Sequence, residues 1–351
     1  MSGFEELRKQ AEAEAEAEVT RAREEQIHAG RCNVRPLPAV ATRPFRSELT
    51  LEKNTIFVSN QHQGDWHQYE HQINHPDSDE PVIRRVTVGK ENPKDRGRGV
   101  LTQVHQDVFY KLLGLWSELG YPLLSPQEKG RKSYGVINAT RYRIVTTIRG
   151  AENDRLEDYQ RVQQILRDLA ATPVVLENVY TWQGFQEREI FTLLGEVRWS
   201  EHGKRGEHAS ILLSSFVTEG FLRKNVKILL GEPYERLRGR DLGKRRGAPL
   251  EIARLLYPFL DTQLATKDEY HARLDHLAER FGFTRYRYKS ETRRKFTPSV
   301  RALDGKLIQL ERYRLRVSLQ LSKDGTDFVL VARREPNEDS AQLGLFKGEK
   351  A

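Results

Sequence analysis

The sequence predicts an α+β protein: two tandem winged-helix domains behind a polar, partly disordered N-terminal extension. Three observations predict it. Apolar residues at helical spacing gather in two groups, one starting near Leu101 and one near Ile252. Each group is followed by alternating segments that read as a β-hairpin. Each group also ends in a helix with a polar or basic outer face. The second such stretch, RYRYKSETRRKFTPSVR (285–301), carries seven Lys or Arg against one acid, Glu291. Helix plus hairpin with a basic outer face is how a winged helix meets DNA.

The chain has 351 residues, a length that suggests two domains with tails, and a net charge of +8. Excess Lys and Arg favour a polyanionic partner, because each phosphate neutralised releases counterions. The single cysteine, Cys32, rules out an internal disulfide framework and a cysteine-built zinc cage. The start, MSGFEELRKQ, has no apolar core of a signal peptide, and no apolar run approaches the roughly 18 residues of a membrane span. A soluble, cytoplasmic protein is expected.

In order, residues 1–48 read as a helical or disordered extension and linker, with AEAEAEAEV at its centre and Pro36, Pro38 and Pro44 near its end. Residues 49–230 read as the first domain. An extended run at Asn54–Ser59 is followed by a polar loop in which His67, His71 and His75 recur every fourth residue. No carboxylate–histidine motif accompanies them, so no metal site is expected. Pro81–Lys90 alternates as a strand.

Val104, Val108, Phe109, Leu112, Leu115 and Trp116 stripe a helix that Thr102 caps and Gly120 stops. A short strand at Val136–Asn138 and a helix at Ala139–Ile148 follow. The helix Arg155–Ala171 turns Tyr159, Val162, Ile165, Leu166 and Leu169 inward and Gln160, Gln163, Gln164 and Arg167 outward. Strands are expected at Val174–Trp182, Glu187–Trp199 and Ser210–Val217. The loop between the last two has Lys204 and Arg205 at its tip, as a phosphate-contacting wing would. Phe221–Leu230 reads as a connector.

Residues 231–334 read as the second domain. Glu232–Gly247 is loop-like; its GRDLGK lacks the spacing and the Ser or Thr of a phosphate-binding loop, which argues against nucleotide hydrolysis. Ile252, Leu255, Leu256, Phe259 and Leu260 stripe a helix that Pro258 should distort. A second helix is expected from Asp268 to Phe281. The third is the basic helix Ser290–Leu303, which Pro298 should kink or restart with Thr297 as cap. Tyr313–Leu321 alternates strictly, with Arg312, Arg314 and Arg316 on its polar side. Asp324-Gly325 turns it back into Phe328–Ala332. Residues 335–351 read as a polar tail.

No Gly-x-Ser-x-Gly, HExxH or glycine-rich dinucleotide turn is present. HQYEH and HQINH have the wrong histidine spacing for a nicking enzyme. The chain is expected to need no cofactor and to catalyse no reaction.

GVLTQVHQDVFYKLLGLW (99–116), DYQRVQQILRDLAATPVVLEN (158–178) and IARLLYPFLDTQLATKDEYHARLDHLAERFGF (252–283) with the basic helix after it carry a resemblance. From about Phe45 to Arg334 the chain resembles plasmid replication initiators of the winged-helix Rep type. The polar insertions before residue 100 depart from the compact members of that group. The resemblance implies binding to repeated double-stranded sites at an origin, recruitment of host helicase and polymerase machinery, and self-association as a homodimer. It implies melting of nearby AT-rich DNA without nucleotide hydrolysis. A transcriptional regulator with the same domains, or an origin-nicking relaxase, are the alternatives.

On this reading Arg293, Arg294, Thr297 and Arg301 contact bases in one groove. Gln160, Gln164 and Arg167 contact bases in the next. Arg161, Lys204, Arg205, Arg285, Arg287, Lys289, Lys295, Arg312, Arg314 and Arg316 hold phosphates.

Overall fold

The computed structural model describes residues 45–60, 62, 64–75, 81–89, 99–124, 132–150, 155–199, 208–237, 250–283, 288–323 and 325–337. The expected extension up to residue 44, the tail beyond 337, the GRDLGK segment, Lys204, Arg205, Arg285 and Arg287 lie outside them.

β1 (Phe45–Glu48) pairs antiparallel with β10 (Val226–Leu229), so the two ends of the first unit close on each other. α1 (Leu49–Asn54) follows; Glu48 caps it by accepting from the Leu51 amide at 2.9 Å. The extended run expected at Asn54–Ser59 therefore begins only after this short helix, and Val58 bridges to Thr102.

The stretch expected to be a polar loop is instead β2 (Trp66–Asn74), paired along its whole length with β3 (Pro81–Gly89). His67, Tyr69 and His71 point to one side of it. There Arg280 of the second unit approaches, with its carbonyl 3.1 Å from His67 Nε2. The histidines are a packing face, and no cluster of His, Cys, Asp and Glu suited to a metal occurs among the described residues.

α2 (Gln103–Glu118) starts where Thr102 was expected to cap it. Its box is closed by His105, whose Nδ1 accepts from the Thr102 amide at 3.0 Å. After β4 (Leu123–Leu124) come β5 (Tyr134–Thr140), α3 (Arg141–Arg149) and α4 (Leu156–Ala171). Gly135 lets Trp116 lie against β5, since a Cβ there would meet the indole at 2.7 Å.

β6 (Val174–Thr181) turns into β7 (Gly184–Phe191), and β8 (Leu194–Arg198) leads to β9 (His208–Leu213). The single strand expected at Glu187–Trp199 is thus two, because β7 joins the sheet β2-β3-β6-β7 while β8 joins β4-β5-β9-β8. The strand expected to run on to Val217 stops at Leu213. Ser214 caps α5 (Ser215–Leu222) with its hydroxyl, a helix start that overrides the β-branched Val217. The connector contains β10, and the loop after it opens with α6 (Gly231–Arg236), whose Tyr234 packs on Tyr110.

The second unit has α7 (Glu251–Gln263), continuous through Pro258, then β11 (Glu269–Arg273) and α8 (Leu274–Arg280). One helix was expected over 268–281. Its first third is a strand instead, because β11 finds a partner in β14 (Phe328–Pro336), with Tyr270 opposite Ala332. α9 (Lys289–Leu303), β12 (Leu307–Ile308) and β13 (Tyr313–Leu321) complete the unit, in a sheet ordered β11-β14-β13-β12.

The two units share one order: helix, strand, helix, helix, strand, strand. In the first, α2, β5, α3, α4, β8 and β9 follow it, with β9 between β5 and β8. In the second, α7, β11, α8, α9, β13 and β14 follow it, with β14 between β11 and β13. The β6–β7 hairpin is an insertion in the first unit.

A single apolar core runs through both units. At their junction it gives way to buried polar groups. Arg254 of α7 donates to Asp107 of α2, and Tyr234 donates to the same carboxylate at 2.6 Å. Lys227 lies 3.3 Å from Asp261 of α7. Glu52 accepts from Ser47 at 2.5 Å and Tyr110 at 2.8 Å. No helix among the described residues is long and apolar enough to cross a membrane.

Burial pushes the carboxyls of Glu48 and Glu52 up from 4.5 to about 7. A raised carboxyl contributes stability below pH 4.5 that is lost as pH rises to about 7, because the unfolded chain ionises first. Burial pushes His67 and His71 down to about 4, so their contribution is lost in the opposite direction, as pH falls from 6.5. Glu52→Gln should therefore gain thermal stability relative to the parent as pH rises from about 4.5 to 7. Thermal unfolding at a series of pH values measures this, and a difference that stays flat refutes it.

Candidate nucleic-acid interface

α9 forms because Thr292, Phe296, Ser299, Val300 and Leu303 fall on one buried face that packs against α7 and β13. The opposite face carries Arg293, Arg294, Lys295, Pro298 and Arg301, all exposed. Pro298 lies inside one continuous helix and does not restart it. Thr297 is interior rather than a cap, and its hydroxyl donates to the Arg293 carbonyl at 2.7 Å. That proton is committed to the helix itself.

α4 is built alike. Tyr159, Val162, Ile165, Leu166 and Leu169 are buried, while Gln160, Arg161 and Arg167 are exposed. Gln164 is half-buried and donates to Asp168 at 2.8 Å; Asp168 in turn faces His105 at 3.5 Å. Gln164 thus joins α4 to the start of α2 through Asp168.

Each outward helix is tied to the helix before it by an ion pair. Arg149 of α3 lies 3.0 Å from Asp158 of α4, and Asp275 of α8 lies 3.5 Å from Lys289 of α9. Lys289 also lies 4.0 Å from the buried Asp327, so it holds the hairpin as well as the helix.

The sheet arginines divide. Leu315 and Val317 of β13 are buried, so by the two-residue period Arg314 and Arg316 stand on the other face, away from α9. Arg314 donates to Asn337 at 3.0 Å, and Arg316 to Glu335 at 2.7 Å. Arg312, just before the strand, is exposed and unpaired among the described residues. The same holds for Arg161, Arg294, Arg301 and the amide of Gln160. Arg293 lies with its guanidinium 4.7 Å from the ring of Phe328, at the turn end of the β13–β14 hairpin. Arg167 and Lys295 are exposed and take part in other contacts within the protein.

Two residues beyond the expected set stand out. Leu156 opens α4 at 71% exposure, and Tyr288 precedes α9 at 58%. Each puts an apolar surface at the N-terminal end of an outward polar helix. The signal in the sequence was that Leu156 falls off the apolar stripe of its own helix.

If α9 reads bases, Arg294→Ala should weaken binding to the preferred duplex by about 1–3 kcal/mol and relax its sequence preference. Arg316→Ala should leave affinity within about 0.5 kcal/mol, because its charge is already taken up by Glu335. Fluorescence anisotropy on both variants checks the pair; equal losses would contradict this division.

No family model and no curated protein matches the chain. Among solved structures it is similar to a crystal structure of domain 2 and domain 3 of RctB, with 12% identity and a TM-score of 0.48. The match covers 82% of this chain and 98% of that one.

Proposed function

We propose that the chain is a sequence-specific double-stranded DNA-binding protein that initiates replication, each unit being a winged helix that sets one helix in a major groove. The observation that carries this reading is the repeated order of elements. In each unit an amphipathic helix with exposed groups that are unpaired among the described residues is followed by strands that pair as a hairpin. Arg294 and Arg301 suit guanine edges in one groove, and Gln160 suits adenine in the next. Arg161 and Arg312 suit flanking phosphates.

Repeated origin sites, rather than one palindrome, follow from the difference between the heads. α4 offers an amide and an arginine, whereas α9 offers arginines, so the two grooves are read differently and the site has a direction. A directional site multiplies as direct repeats. A palindrome is the site of a two-fold dimer, the form that the resemblance links to repression of the initiator's own gene, whereas single chains occupy direct repeats. Recruitment of helicase and polymerase, self-association as a homodimer and action without nucleotide hydrolysis belong to the same proposal through the resemblance to Rep-type initiators.

The test is selection of bound fragments from the DNA around its own gene, followed by footprinting at two salt concentrations. Evenly spaced direct repeats, each protected over about two helical turns, are expected. A single palindrome at the promoter would replace initiation by transcriptional regulation. Metal-dependent cleavage of a single strand, lost on mutating one tyrosine, would make the protein a nicking enzyme. Arg312→Ala should weaken all duplexes alike and lower the slope of log affinity against log salt by about 1. A sequence-dependent loss would assign Arg312 to base reading instead.

A further inference from the structure

A cleft of about 1120 Å³ opens between the units, away from both α4 and α9 in the chain. The first unit lines it with residues of α1 and of the β2–β3 hairpin. The second lines it with residues from the end of α7, β11, α8 and the β13–β14 hairpin. The lining holds six lysines and arginines against two glutamates. One of those, Glu70, is already held by Arg85 at 2.6 Å.

Two of the cations are set into the wall. The half-buried Arg84 donates to the Asn178 carbonyl at 3.3 Å. Arg280 donates to the Lys53 carbonyl at 2.8 Å and to Thr55 at 3.1 Å, with its guanidinium 5.0 Å from the Tyr69 ring. Among the described residues neither is paired with a carboxylate. Between them stands His71, stacked on Tyr69, with Nδ1 buried and without a hydrogen-bond partner.

Guanidinium groups are costly to withdraw from water without a counter-charge, and an imidazole nitrogen without a partner adds to that cost. Burial first, and then the two arginines, disfavour the imidazolium form of His71; burial first, and then Arg280, lower the pKa of Arg84, whose guanidinium stays charged. The electrostatics of the cleft are those of an anion site.

We propose that this cleft binds a small organic polyphosphate, with Arg84 and Arg280 donating to phosphate oxygens. The planar guanidinium fork matches phosphate oxygens. The rim lysines, Lys53, Lys267 and Lys323, favour a multiply charged ligand over a single carboxylate. The volume is that of a nucleotide-sized ligand rather than of one phosphate ion. Because both units supply walls, an occupant bridges them and strengthens their union. This site is independent of the duplex-reading helices.

The experiment uses the full chain, with inorganic pyrophosphate and metal-free ATP as probes and chloride at matched ionic strength as control. Calorimetric titration should show saturable binding, and thermal unfolding should shift upward beyond the chloride effect. Arg84→Gln should weaken binding at least about tenfold, the scale of one charge-assisted hydrogen bond, while duplex binding stays as in the parent. If Arg84→Gln does not fold, the double variant Lys53→Gln/Lys267→Gln at the exposed rim should weaken ATP binding several-fold. A shift equal to that of chloride, binding unchanged in these variants, or binding only to a single-stranded oligonucleotide would overturn the proposal.

Discussion

A buried ion pair between Arg254 and Asp107 decides how the two units of this protein sit against each other. Asp107 also accepts from Tyr234 and, at 2.8 Å, from Gln103; the Arg254 guanidinium lies 4.9 Å from the Tyr234 ring. Removing either partner would leave a charge in the interior, at a cost of about 3–5 kcal/mol. Lys227 and Asp261 repeat the device, and Asp261 also accepts from the Gln309 amide at 3.2 Å. Apolar contacts slide at small cost, whereas paired buried charges have one good geometry. These buried pairs favour one arrangement of the units over others.

That constraint explains why charge counting overstates the interface. The stretch around α9 is the most basic in the chain, yet several of its neighbours spend their charge inside the protein. Lys289 ties α9 to α8 and to Asp327, Arg316 pairs with Glu335, and Arg333 pairs with Glu269 at 2.7 Å. What remains for a polyanion is smaller and better placed: Arg161 on α4, Arg294 and Arg301 on α9, and Arg312 at the hairpin's base. Structural pairs around a helix and unpaired groups on its outer face serve different ends. The first fix the angle at which the second are offered.

The helices α2, α4 and α9 and the strand β13 were legible because each carries its apolar face within itself. β11 and α8 were not. Tyr270, Leu274, Leu277 and Phe281 keep helical spacing across a junction where a strand becomes a helix, and only β14, some sixty residues on, settles β11 as a strand. β2 was hidden for a different reason. Its inward residues are His67, Tyr69 and His71, which read as surface chemistry until Arg280 is brought against them. The buried acids Glu48, Glu52, Asp107 and Asp261 share this property, since a carboxylate is ordinarily exposed. For the outer helices, the sequence displayed which faces point outward. Which cations were spent depended on partners such as Glu335, opposite Arg314 in the strand register.

In the proposed reading, two unlike heads in one chain have a consequence for the kind of information the protein can read. Two identical heads related by symmetry would read the same bases twice and would be blind to direction. Here α4 carries Gln160 and Arg161 behind an exposed Leu156, and α9 carries Arg294 and Arg301 behind Tyr288. A duplex turned end for end would bring the amide of α4 to the bases meant for the arginines of α9. The mismatch falls on hydrogen bonds left unmade in a desolvated groove, where each is worth about 1–3 kcal/mol. A hinge between the units would let each head find its own bases and would dissolve that penalty. The buried Arg254–Asp107 pair opposes such a hinge, so polarity along DNA in the proposed reading comes from the interior of the protein as much as from its surface.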